Sequence, residues 1–308
     1  MALYIQSTQS ISPQDTFPGK GLPSTPLLYT PYLKNVLPDF KSYFPPLEQR
    51  RMNNLIKSAV ACAVETLKDA GIQKPDAIIT GTGLGCVTDT EKFLHNILDS
   101  DEGLVTPTAF IQSTYNIIGA LIAIHCKCYG YNVVYAHKTM SFESALLDSY
   151  LYLSDNENHT VLLGGFDEIT EESFNLKKNV NIYKVNSSNE KILSDKTPGS
   201  IAGESVTFFL LTGKQTGNQV EIKSINTYSY KKTTEAIHNE ILKVITYHNL
   251  KSEDIDAIIT GINGDSGNDQ NYFGIADFFQ RLPMPITKIY VVNLIRHLLL
   301  DFGLRIFH

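Results

Sequence analysis

An α/β fold built from two similar halves is what this sequence predicts, on three observations. The hexapeptide DAIITG stands at Asp76–Gly81 and again at Asp256–Gly261, each copy behind an amphipathic helix. A strand–helix–strand unit repeated at long range marks a duplicated architecture related by a pseudo-twofold axis. Between Pro107 and Glu168 the patterns run helix, strand, sharp turn, helix, strand, with no long linker, which is the alternation of an α/β layer. And with 308 residues, 43% of them hydrophobic, the chain can bury a large core as one big domain or two fused halves.

Taken in order, LYIQ near the start reads as a first strand and the Ser-Pro-Gln-Asp that follows as turn chemistry. From about Gly19 to Pro46, prolines and aromatics without periodicity predict an irregular covering segment. Arg51 to Ala70 is a helix: Leu55, Ala59, Ala63 and Leu67 form one ridge, Ile56, Val60 and Val64 the next, and Gly71 closes it. DAIITG then delivers a buried strand into the glycine turn GTGLG. The stretch from Pro107 carries Ile117, Ile118, Leu121, Ile122 and Ile124, apolar on nearly every side, and predicts an interior helix. YNVVYAH has the β-branched and aromatic content of a strand. The next helix sets Phe142, Leu146 and Tyr150 on one face, leaving Lys138–Ser141 as the turn where strand feeds helix. A side chain there sits beside free backbone N–H groups and the positive end of the helix dipole, where a nucleophile or an anion is stabilised. VLLGGFDE, GESVTFFLL and QVEIKSINTYSY supply further strands. Thr234–His248 is the second amphipathic helix, with Ile237, Ile241 and Ile245 aligned.

Composition removes several classes of function. A formal charge of −6 without long runs offers no basic face for nucleic acid or anionic lipid. The start has neither a basic region nor an apolar run, and no stretch reaches transmembrane length, so the expectation is a cytoplasmic protein with no membrane partner. The four cysteines, Cys62, Cys86, Cys126 and Cys128, make no disulfide framework, and Cys126 and Cys128 lack a second pair to complete a tetrahedral site. GTGLG lacks the third glycine of a dinucleotide fingerprint. His137 beside Thr139 and Ser141 has no G-x-S-x-G elbow around it. Asp265 and Asp269 could pair on a metal, though loop acids facing solvent are the commoner case. No cofactor and no metal is expected.

The order of a P-x-x-F-x-x-S-x-x-N helix, a strand, a helix with S-x-x-x-A-L, a strand ending in GG-x-DE and a strand opening with GE resembles the core of a β-ketoacyl synthase. The resemblance implies the thiolase-like fold, two α/β halves in an αβαβα layering, here with residues 1–215 as the N-terminal half and 216–308 as a second half abbreviated at its end. It places Lys288 in the family's lysine strand. Beyond it, Leu294–Leu300 is an apolar, helix-like run where further strands are expected, which implies exposed apolar surface near the terminus.

In that family a cysteine at the strand-to-helix turn carries the acyl chain as a thioester, and two histidines from the second half help decarboxylate the malonyl unit. Registering Ser141, Ala145 and Leu146 on the family's C-x-S-x-x-x-A-L pattern puts Thr139 in the nucleophile slot; a slip of two residues puts Ser141 there. Neither is a thiol, and a hydroxyl without a base is a far weaker nucleophile. The family's H-G-T-G-T turn corresponds to the turn holding Thr260, Gly261 and Asn263, and no histidine lies between His248 and His297. The resemblance is therefore nearest the cysteine-lacking chain-length factors and the synthase relatives that make aryl polyene pigments. It implies acyl carrier protein as a partner, and a heterodimer with a cysteine-bearing ketosynthase, or a homodimer, across YNVVYAH. Phe110, Met140 and Phe142 are candidates for the wall of the acyl tunnel. An active synthase with a non-standard site and a free-standing binder of acyl chains or carrier protein are the alternatives.

Overall fold

The computed structural model describes residues 2–21, 23–24, 27, 31–101, 103, 105, 107–185, 188, 191, 194–195, 197–227, 233–251, 254–280, 288–291 and 306–307. In chain order these form β1 (Leu3–Ile11), α1 (Pro46–Gln49), α2 (Asn54–Asp69), β2 (Ala77–Gly81), α3 (Val87–Asp99), α4 (Pro107–Ser113), α5 (Ile117–Cys126), β3 (Tyr131–Tyr135), α6 (Ser141–Asp155) and β4 (Thr160–Asp167). After them come α7 (Glu171–Asn179), β5 (Ser205–Thr212), β6 (Val220–Ile222), α8 (Thr234–Tyr247), β7 (Ala257–Thr260), α9 (Ser266–Gln280), β8 (Lys288–Val291) and β9 (Ile306–Phe307).

The main sheet has the order β3-β2-β4-β5-β1-β6-β9. β2 runs parallel to both β3 and β4, and β5 lies antiparallel between β4 and β1. Strand alternation sends successive side chains to opposite faces. Ile78, Leu162, Phe166, Phe208 and Leu210 meet α2 and α5 on one side, while Ala77, Ile79, Val161, Leu163 and Leu211 meet α6 on the other. α2 forms where predicted. Asn53 caps it by accepting the Ile56 N–H at 2.7 Å, and eleven of its residues, from Leu55 to Leu67, are buried. Gly71 takes the left-handed conformation, φ 68°, that ends it. The first of the two adjacent glycines in VLLGGFDE has a packing cause. A Cβ on Gly164 would sit 2.2 Å from the ring of Phe208, which lies across the strand at that point.

Two expectations change. The opening strand does not stop at Gln6 but runs on to Ile11, because Ser7, Thr8 and Ser10 find partners in the sheet and on the helix packed against it: Ser7 Oγ donates to the Thr66 carbonyl of α2 at 2.7 Å, Thr8 Oγ1 to the Phe208 carbonyl at 3.1 Å, and Ser10 shares a hydroxyl contact with Thr207 at 2.8 Å. The interior helix from Pro107 is instead two helices, α4 and α5, bent by 92°, and lies at the margin of the sheet. Ile118 and Ile122 are buried, but Ile124 is 73% exposed. Among the described residues no single helix is long and apolar enough to cross a membrane.

The covering segment is pinned by one carboxylate. Glu204 accepts from Lys34 Nζ (2.7 Å), from the Asn35 N–H (3.1 Å) and from the Ile169 N–H (3.1 Å), joining residues far apart in the chain. The second DAIITG is a strand as predicted, β7, and pairs in parallel with β8, which begins at Lys288. β6 joins the main sheet beside β1. Leu294–Leu300 lies outside the described residues.

Candidate functional site

The turn that follows β3 is built around Ser141. Lys138 adopts a left-handed conformation, φ 56°, which reverses the chain, and Ser141 opens α6. Its hydroxyl accepts the His137 N–H at 2.8 Å and donates to the Thr82 carbonyl at 2.7 Å, so it rivets the end of β3 to the end of β2. With the side chain 5% exposed and its proton committed, the Ser141 oxygen is a structural link and not a free nucleophile. Gly81 permits the closeness: a Cβ there would fall 2.7 Å from the backbone of Ser141 and Phe142. Thr139 stands outside the rivet, exposed on the turn beside His137 and Lys138, which are also exposed. Met140 is half-buried, and its carbonyl takes the Ser144 N–H (3.0 Å) and hydroxyl (2.7 Å).

Each DAIITG turn is held by a buried aspartate, a feature the sequence reading missed. Asp167, at the end of β4, accepts from Thr82 Oγ1 (3.0 Å), the Gly83 N–H (2.9 Å) and the Leu84 N–H (3.0 Å). In the second copy Asp269, on α9, accepts from the N–H groups of Asn263 (3.0 Å) and Gly264 (2.8 Å). Burial holds the Asp269 carboxyl above the usual carboxylate range. Thr260 and Asn263 are 2% and 5% exposed, Gly261 is buried between them, and the Asn263 carbonyl receives the Ile201 N–H at 3.2 Å. Asp265 accepts the Gly267 N–H at 2.9 Å. Asp265 and Asp269 thus serve backbone donors, and no group of three metal-ligating side chains occurs among the described residues.

All four cysteines are free thiols, and none falls within Lys138–Ser141. Cys62 donates to the Gln9 carbonyl at 3.1 Å and Cys128 to the Pro75 carbonyl at 3.2 Å. Burial pushes the Cys62 and Cys86 thiols up, Cys86 with help from the nearby Glu168 and Asp89 carboxylates, and Cys126 rises to about 11, again through burial. A thiol in that state carries almost no thiolate at neutral pH.

The tunnel candidates do not converge. Phe142 is 6% exposed and packs in the core against Phe209, ring centroids 6.2 Å apart. Phe110 is 53% exposed on α4, against Phe93 at 5.3 Å. None of the three lines the cleft of about 380 Å³ formed by Phe17, Val36, Tyr43 and their neighbours. What surrounds β3 instead is apolar and open. β3 is the outermost strand on its side of the sheet, with Ile124, Tyr129, Leu147 and Leu151 exposed around it. Tyr131 stacks on Tyr152 at 5.6 Å and donates to Asp148 at 3.1 Å.

Residues 33–202, more than half of the chain, match the family model for the N-terminal domain of beta-ketoacyl synthases. No curated protein matches the sequence. Solved structures share the fold. A beta-ketoacyl synthase from Burkholderia phymatum STM815 is 14% identical with a TM-score of 0.64, over 90% of this chain and 78% of that one. The ishigamide ketosynthase/chain length factor gives 16% and 0.65, over 98% and 82%. The AntDE:AntF assembly, described as a type II PKS acyl-carrier protein in complex with its ketosynthase, gives 11% and 0.66, over 90% and 82%. These likenesses show the thiolase-like α/β architecture, and the domain match over residues 33–202 makes the chain a member of the beta-ketoacyl synthase family.

Proposed function

We propose that the chain is a catalytically silent, chain-length-factor-like partner of a cysteine-bearing ketosynthase, acting in acyl-carrier-protein-dependent polyketide or fatty-acid synthesis, with aryl polyene pigments among its candidate products. The observation that carries this reading is the nucleophile turn. Thr139 occupies the slot as an exposed hydroxyl, and the other hydroxyl in reach, on Ser141, is buried and spent on Thr82. Acyl transfer through a thioester needs a thiolate, but none of the four cysteines falls within Lys138–Ser141, and burial pushes the Cys62, Cys86 and Cys126 thiols up. The second-half turn supports the same reading, since the family's histidine position is filled from Thr260, Gly261 and Asn263, whose backbone is tied to Asp269 and Ile201. In this reading residues 1–215 are the N-terminal half, residues 216–308 begin the second, and the partner covers the open edge of β3 with the apolar side chains that flank it. An exposed strand edge carries unpaired N–H and C=O groups suited to another chain.

The test is malonyl decarboxylation and acyl transfer to acyl carrier protein, measured with the purified chain alone and mixed with a cysteine-bearing ketosynthase. The chain alone should be inert and should co-purify with the synthase. Turnover by the single chain would defeat the proposal.

A further inference from the structure

A strand at the edge of a sheet can take up one more strand, and the side chains around it decide which. β3 is such an edge, outermost in the order that begins β3-β2-β4. Tyr131, Val133 and Tyr135 alternate toward the face on which α6 packs, where Tyr131 meets Tyr152 and Tyr135 joins the cluster of Phe142 and Ala145. There the two tyrosines converge on one carboxylate. Tyr131 donates to Asp148 at 3.1 Å, and burial, then the adjacent Asp148 charge, raise the phenols of both Tyr131 and Tyr135. Along an extended chain residues 131 and 135 are about 13 Å apart, so a carboxylate within reach of both stands level with Val133, at the middle of the edge. Asp148 is half-buried, and no cation pairs with it among the described residues. The cations of this surface stand beyond the two ends of the strand. Lys127 precedes it and Lys138 follows it, both exposed and both in the left-handed conformation.

This distribution of charge discriminates between occupants. Two copies of the chain related by a twofold axis join β3 to β3 antiparallel, and full overlap of Tyr131–Tyr135 puts Val133 on the axis. Whatever lies at the middle of the edge then meets itself, so the Asp148 carboxylate faces its own copy. The same arrangement brings the Lys138 end of each strand beside the Lys127 end of the other. Like charges meet at the centre and at both ends, which opposes association. We propose that the β3 edge selects an unlike chain over its own copy, taking a partner that carries a lysine or arginine over the middle of its edge strand, where it pairs with Asp148. The open backbone and the exposed Leu147 and Leu151 beside Asp148 supply attraction; the charge supplies the choice. The inference rests on the reading above, in which the partner is a cysteine-bearing ketosynthase, and narrows it to a heterodimer.

Sedimentation of the full chain tests it. Asp148→Asn should self-associate about fivefold more tightly than wild type. An equimolar mixture of wild type and Asp148→Lys, acid against cation, should associate about tenfold more tightly than either chain alone, with new hydrogen-exchange protection over residues 129–137. With a cysteine-bearing ketosynthase, Asp148→Lys should bind about tenfold more weakly than wild type. An Asp148→Asn chain that self-associates no more than wild type, a mixture no tighter than wild type, or a mixed dimer that leaves residues 129–137 unprotected would overturn the selection. A synthase that binds wild type and Asp148→Lys alike would overturn it as well, while leaving the silent-partner reading in place. A synthase that binds neither would defeat that reading, and the measurements on the chain alone would still decide the part played by Asp148.

Discussion

The two DAIITG copies carry the same six letters into different surroundings. In the first, Ala77–Gly81 are buried at every position, between parallel neighbours β3 and β4 and under helices on both faces. In the second, Ala257–Ile259 are half-buried, only Thr260 and Gly261 are fully enclosed, and the strand pairs with β8. Identical local sequence thus makes a strand twice, but how much each residue contributes is set by what packs on it. The feature that survives in both is the end of the strand: a buried threonine, a tight turn, and an aspartate gripping the turn's N–H groups.

The largest test of that contrast is a matched pair of truncations. Ile79→Ala empties a site that is 0% exposed and should cost about 3–4 kcal/mol in urea unfolding, while Ile259→Ala, at the equivalent half-buried position, should cost about 1 kcal/mol. Equal losses would mean that the second copy is as enclosed as the first. Next, Gly81→Ala drives a methyl into the backbone of Ser141 and Phe142, and a loss of about 2–3 kcal/mol is expected, read as a lower urea midpoint. A neutral result would show that α6 does not rest on the end of β2. The smallest effect should be common to both copies. Thr80 and Thr260 are buried, and neither hydroxyl has a hydrogen-bond partner among the described residues. Thr80→Val and Thr260→Val should each raise stability, by about 1 kcal/mol, by removing a desolvated hydroxyl at nearly constant volume. A loss on either substitution would break the likeness between the two turns.

Much of this was readable in the chain. α2, β2, β4, β5, α6 and α8 stand where periodicity put them, because each buries a regular face or a continuous apolar run. Polarity misled in β1. Ser7, Thr8 and Ser10 look like the approach to a turn, yet a serine that bonds a neighbouring carbonyl can sit in a central strand. Apolarity misled in the opposite sense at α4 and α5. Ile124 and Phe110 are as hydrophobic as core residues, and sequence does not distinguish burial by one's own fold from burial by another surface. In the sequence the candidate site reads as a vacancy, with Thr139 or, two residues on, Ser141 where the resemblance puts a thiol. Its wiring was not legible, because a carboxylate on backbone N–H groups leaves no spacing to detect. The available hint was confined to Asp269, which closely follows the strand and glycine at Thr260–Gly261; Asp167 is far in sequence from the turn it holds.

The central place of β1 also has a bearing on how the molecule is made. Residues 3–11 are synthesised well before their partners in the sheet, residues 206–212 of β5 and 220–222 of β6. At roughly 5–20 residues per second, the first strand waits on the order of 10–40 s for its neighbours. During that interval Ile11 has α2 to pack on, but Leu3 and Ile11 lack the strands that complete their enclosure. Yield is therefore expected to respond more to chaperone supply during translation than to changes on the finished surface.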